Sequence, residues 1–100
     1  MDNADKNQMM FVQLISMFQA AALQQMGKLK NPATEKIEKD LQQAQLSIDL
    51  IDMLKEKTKG NLLPDEERFL SGVLQDLKLN YVDELAKEAL PSATNQKGTQ

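Results

Sequence analysis

Three acidic side chains, Asp49, Asp52 and Glu56, fall at i, i+3 and i+7, which sets their carboxylates along one helical face. Carboxylates so placed could hold a metal ion or move protons. Helix-borne di-metal sites add imidazoles in Glu-x-x-His spacing, and this chain has no His. A solvated acidic face with Lys55 beside it is the stronger reading. Asp49 stands out because Ile48, Leu50 and Ile51 adjoin it, and it is expected to hydrogen-bond across a helical bundle.

The run Lys55-Glu56-Lys57-Thr58-Lys59-Gly60-Asn61 combines ammonium groups with a glycine turn and could cradle an anion. It lacks the spacing and the preceding strand of a P-loop. Helix capping accounts for all of it except Thr58 and Asn61. Ser16, Ser47 and Ser71 have no His to activate them, and the chain has no Cys. Nucleophilic catalysis through His or Cys, disulfides, and thiolate or imidazole metal sites are therefore excluded. No catalytic residue, cofactor or metal is expected. The net charge of −3 argues against a nucleic-acid partner and against docking on an anionic membrane.

The elements that would carry these residues read as helices. Helix one is expected over Gln8 to Lys28, stopped by Gly27 and by Asn31-Pro32. Helix two is expected from Thr34, as N-cap, to Lys59, with Gly60 as its left-handed stop. Helix three restarts at Pro64, with Asp65, Glu66 and Glu67 in its first turn and Glu66 placed to reach back to the cap N–H. It runs to about Ala89. Residues 1–7 and 91–100 are expected to be disordered, leaving one helical domain over 8–90.

Helices two and three form a long antiparallel αα-hairpin across a short connection running from Lys57, Thr58, Lys59, Gly60 and Asn61 to Leu62, Leu63 and Pro64. Ile37, Leu41, Ala44, Ile48 and Ile51 make one apolar seam, and Leu70, Leu74, Leu77, Tyr81 and Leu85 the facing one. A second row, Leu46, Leu50 and Met53, predicts that helix two touches more than one neighbour.

Helix one is the unusual element. From Asn7 to Gly27 no side chain is charged, in a chain that is 27% charged overall. Apolar residues spread over most of its circumference, which marks a helix enclosed on most sides. Gln8, Gln13, Ser16, Gln19, Gln24 and Gln25 interrupt it too often for a transmembrane segment. A second copy would supply the missing cover, so an intermolecular helical bundle is expected. Its surface would be Phe11, Leu14, Ile15, Met17, Phe18 and Ala22, with Gln13, Ser16, Ala20 and Gln24 allowing close approach.

Several of these residues match a known pattern. Phe11, Leu14, Leu23 and Gly27, then Ala44, Ile48-Asp49-Leu50, Leu54, the block Lys57-Thr58-Lys59-Gly60-Asn61-Leu62, Glu66-Glu67, Leu74, Leu77 and Tyr81-Val82 resemble a group of short bacterial all-helical proteins catalogued as a domain of unknown function. The resemblance covers roughly residues 9–85. It implies a bacterial, cytoplasmic helical protein of a family with no established activity, cofactor or substrate, and nothing catalytic. Members of that group more often have Thr or Ser where this chain has Leu63, so the cap of helix three is weakened here.

The function expected from these features is a non-enzymatic, homo-oligomeric binding or scaffolding module. One alternative is an adaptor or chaperone-like protein whose helix one binds a different protein. Another is a small anion-binding protein using the Lys57–Asn61 turn.

Overall fold

The computed structural model describes residues 2–89 and shows an all-α chain of three helices: α1 (Asn3–Gln25), α2 (Leu41–Lys57) and α3 (Pro64–Ala89). Among the described residues the only bridge pairing joins Asn31 to Lys36 in a loop. The tail expected at 91–100 lies outside the described residues.

α1 starts five residues before the expected Gln8, so the segment expected to be disordered is helical from Asn3. The cause is a cap at Asp2, whose carboxylate accepts the Asp5 N–H at 2.9 Å. At the other end Gly27 adopts φ +85°. Its N–H donates to Gln24 O at 3.0 Å and the Lys28 N–H to Leu23 O at 2.8 Å, a complete Schellman stop.

The start of α2 departs furthest from expectation. Thr34 does not cap a helix. Its Oγ1 accepts the Lys36 N–H inside a local turn, Glu35 stands at φ +58°, and Asn31 bonds across the loop to Lys36 O at 2.8 Å. A left-handed residue cannot lie in an α-helix. The helix instead begins after Asp40, whose Oδ1 accepts the Gln43 N–H at 3.1 Å. The Asp40 N–H donates to Gln25 O at 2.7 Å, which ties the start of α2 to the end of α1. Ile37, expected on the helix-two seam, is therefore an exposed loop residue.

The hairpin turn forms as expected. The Thr58 hydroxyl donates to Leu54 O at 2.7 Å, Gly60 adopts φ +82°, and the Leu63 N–H donates to Glu66 Oε1 at 2.8 Å. Glu66 thus supplies one half of a capping box although Leu63 lacks the oxygen for the other half. A Cβ on Gly60 would meet nothing within 4 Å. Gly60→Ala therefore costs backbone strain alone, about 1–2 kcal/mol, read as a lowered urea midpoint. An unchanged midpoint would mean that this turn is not left-handed.

The core gathers Ile15 and Ala22 of α1 with its C-cap residue Met26, Ala44, Ile48 and Ile51 of α2, and Leu70, Val73, Leu74 and Leu77 of α3. Phe11, Phe18, Leu41, Leu54, Phe69 and Tyr81 pack round it, half-buried. The expected seams hold except at Ile37 and at Leu85, which is exposed. The chain has few aromatics, so aliphatic residues and Met fill the centre.

Candidate interaction surface

The six α1 residues expected to meet a partner divide between two faces. Ile15 and Ala22 are fully buried in the chain's own core, and Phe11 and Phe18 are half-buried against it. These four are spent inside the protomer. The first two cannot touch a partner without unfolding, which corrects the expectation for them. Leu14 and Met17 are exposed. With Met10 and Ala21 they form a row at i, i+4, i+7 and i+11, one residue before the row that builds the core.

One partly buried hydrogen bond shows where this row lies. Ser47 Oγ–H of α2 donates to Gln25 Oε1 of α1 at 2.7 Å. The bond marks the α2-facing side of α1. Leu14 and Ala21 stand four residues before Phe18 and Gln25, so they flank the α1–α2 contact line. On α2, Leu50 stands three residues after Ser47 and four before the half-buried Leu54, and so flanks the same line. Leu46 and Met53 continue its row.

α2 packs against both α1 and α3, so it meets more than one neighbour as expected, but its second apolar row stays partly in water. Met10, Leu14, Met17, Leu46, Leu50 and Met53 are between 36% and 62% exposed. Together they leave on the order of 500 Å² of apolar surface in water, the size of patch that is commonly functional. No charged residue lies on α1 between Asn7 and Gly27. Lys57 stands at one end of the α2 row.

The acidic triplet lines one open hollow with Met53 and Lys57, and among the described residues no three acidic side chains are placed to hold a metal ion. Asp49 accepts from Gln45 Nε2 at 2.8 Å on its own helix, so the expected bond across the bundle is not formed. Asp52 pairs with Lys78 of α3 at 3.3 Å. The turn from Lys57 to Pro64 is exposed apart from half-buried Thr58 and Leu62. The hollow beside it is lined by Lys55 and Lys59 but also by Glu56 and Glu67. Two carboxylates offset the two ammonium groups there, which disfavours an anion.

Sequence reasoning missed the main ionic feature, centred on Glu84. This residue follows Leu70 and Leu77 at heptad spacing and is buried. A carboxylate on the seam was therefore a legible signal. Its oxygens lie 2.8 Å from Lys28 Nζ, 2.9 Å from Lys39 Nζ and 3.0 Å from Lys87 Nζ. Asp83 joins Lys28 and Lys87, and Glu88 joins Lys39. The cluster clamps both ends of the α1–α2 loop to the last turns of α3. Hydrogen bonds from Lys28, then Lys39 and Lys87, hold the Glu84 carboxyl down at about 2. The same bonds raise the three lysines.

A depressed carboxyl contributes stability in full above its unfolded value of 4.5 and loses it as pH falls towards 2. Urea midpoints should therefore drop across that window. Glu84→Gln should lower stability near neutral pH by about 1–2 kcal/mol, allowing for solvent at the lysines, and should flatten the acid profile. A variant profile parallel to the parent's would assign the acid loss to other groups.

Among the described residues no helix is long and apolar enough to cross a membrane. No curated protein and no solved structure matches the chain. Residues 8–83, most of its length, match the family described as Domain of unknown function (DUF1844), and the chain belongs to that family.

Proposed function

We propose that this family member is a non-enzymatic helical binding or scaffolding module that works by assembling with copies of itself. The observation that carries this reading is the α1–α2 face, where each helix leaves an apolar row in water. With the uncharged neighbours Met9, Gln13, Ala20 and Gln24 it approaches about 800 Å², the area each partner gives to a standard interface. The charged pairs described above, Lys28–Glu84, Lys39–Glu84 and Asp52–Lys78, join the loop or α2 to α3 instead. A self-pairing surface gains from this division, because about a two-fold axis a charged residue near the centre would meet its own copy.

A non-enzymatic role is supported by a chain without His or Cys, which lacks the usual groups for acid–base or nucleophilic work at neutral pH. The Ser47 hydroxyl is engaged with Gln25. Family resemblance and the lack of Cys favour a bacterial cytoplasm as its setting.

A second reading is an adaptor that receives a helix of another protein on this face. Exposed Met9, Met10, Met17 and Met53 favour it, since flexible thioethers suit adaptable grooves. Amide hydrogen exchange separates the two. Self-assembly predicts that Met9 to Ala21 exchange more slowly as the protein is concentrated. Rates independent of concentration would contradict self-assembly and leave the adaptor.

A further inference from the structure

The two ends of the three-helix bundle are held by different forces. Towards the hairpin end Ile15, Ile48, Ile51, Leu70, Leu74 and Leu77 are buried together. At the loop end the buried set is small. Between Gln25 and Ser47 it consists of Met26 and Ala44, and beyond Leu77, among the described residues, of Glu84. Leu41 and Tyr81 are half-buried beside them. One methionine and one alanine remove little apolar area from water, so apolar packing contributes far less at this end.

The loop between α1 and α2 is bonded mainly to itself. The Asn31 N–H donates to Lys36 O at 2.8 Å, and Asn31 Nδ2 donates to Glu38 Oε1 at 2.8 Å. Leu29 and Ile37 are exposed, so they do not anchor it. Its base is closed by the Asp40 N–H on Gln25 O. Among the described residues every polar bond from the loop to α3 is an ion pair. Lys28 and Lys39, one at each end of the loop, both meet Glu84. Lys28 also meets Asp83, and Lys39 also meets Glu88. Lys87 reaches Glu84 along α3 itself. One carboxylate therefore bolts both ends of the loop to the last turns of α3.

From this division we infer that the loop end is a salt-sensitive latch. It opens as a unit, the α1–α2 loop parting from the last turns of α3, while the helices stay packed towards the hairpin end. The lysine side chains are between 28% and 56% exposed. Mobile ions reach them there and screen the pairs. Apolar burial at the other end carries no charge to screen. Opening uncovers Met26, which the latched form hides entirely. The device does not depend on whether the chain assembles.

Amide hydrogen exchange of the full chain in low urea, at one fixed low protein concentration, tests this. The Lys28, Asp40 and Ala44 amides, bonded to Leu23, Gln25 and Asp40 carbonyls, report on the loop end. They should be protected at least about tenfold less than the Ile51 and Leu74 amides, and through an opening that barely depends on urea. Glu84→Gln should lower loop-end protection by about a further tenfold. Lys39→Gln, which leaves Lys28 on Glu84, should lower it by less. Sodium chloride should weaken loop-end protection in the parent chain and not in Glu84→Gln.

One protection level and one urea dependence shared by all five amides would overturn the latch, because the bundle would then open only as a whole. Loop-end protection unmoved by either salt or Glu84→Gln would overturn it too, because the ion cluster would not be what holds that end. Should Glu84→Gln fail to fold, Lys39→Gln and the salt series on the parent chain decide by the same criteria.

Discussion

The double variant Met17→Glu, Leu50→Glu will be monomeric at concentrations where the parent chain is assembled, with its helical content unchanged. Both positions are exposed in the protomer, so the new carboxylates are solvated there and cost the fold less than about 1 kcal/mol. In the assembly each would lie in a dry, uncharged contact with no opposite charge to pair with. A buried, unpaired charge costs several kcal/mol. Two substitutions repeated in two copies should weaken association by at least about a thousandfold. Sedimentation together with circular dichroism measures both halves of the expectation. An assembly of unchanged mass would show that this face is not the contact.

The second large effect is placed one residue away. Ile51 is fully buried, whereas its neighbour Leu50 points out of the core. Ile51→Ala removes a packed side chain from between three helices and should cost about 2–5 kcal/mol. Domains of this size have only about 5–15 kcal/mol in total. Leu50→Ala, measured in the monomeric Met17→Glu background, should cost well under half as much. Urea titration of both variants checks the contrast. Equal losses would mean that α2 is rotated from the orientation described.

This contrast shows what was legible in the sequence. On α2 and α3 polar residues alternate with apolar ones, so the buried seam could be read directly, and the hairpin turn followed from Gly60, Pro64 and Glu66. On α1 the absence of charge removed that contrast. Two apolar rows one residue apart, Phe11/Ile15/Phe18/Ala22 and Met10/Leu14/Met17/Ala21, merge into a single surface when polarity is the only guide. The expected interaction set mixed members of both. Only the packing of α2 and α3 shows that the first row is already used and the second is free.

The start of α2 was misplaced for a different reason. Thr34 with Glu35 and Glu38 carries the same capping chemistry as Asp40 with Gln43, and intrinsic preference cannot rank two good caps six residues apart. The tertiary bonds of Asp40 to Gln25 and of Lys39 to Glu84 decide between them. The second of these depends on α3, which lies far along the chain. Glu84 itself was overlooked because Leu85 continues the apolar spacing almost as well, and an acidic residue at a core position is seldom buried without partners.

Molar mass in solution, measured by light scattering over a wide concentration range, tests the central claim most directly. The account predicts a mass that rises to at least twice the 11.3 kDa of one chain as concentration increases, and a return to the single-chain value in Met17→Glu, Leu50→Glu. A mass of one chain at every concentration would contradict it.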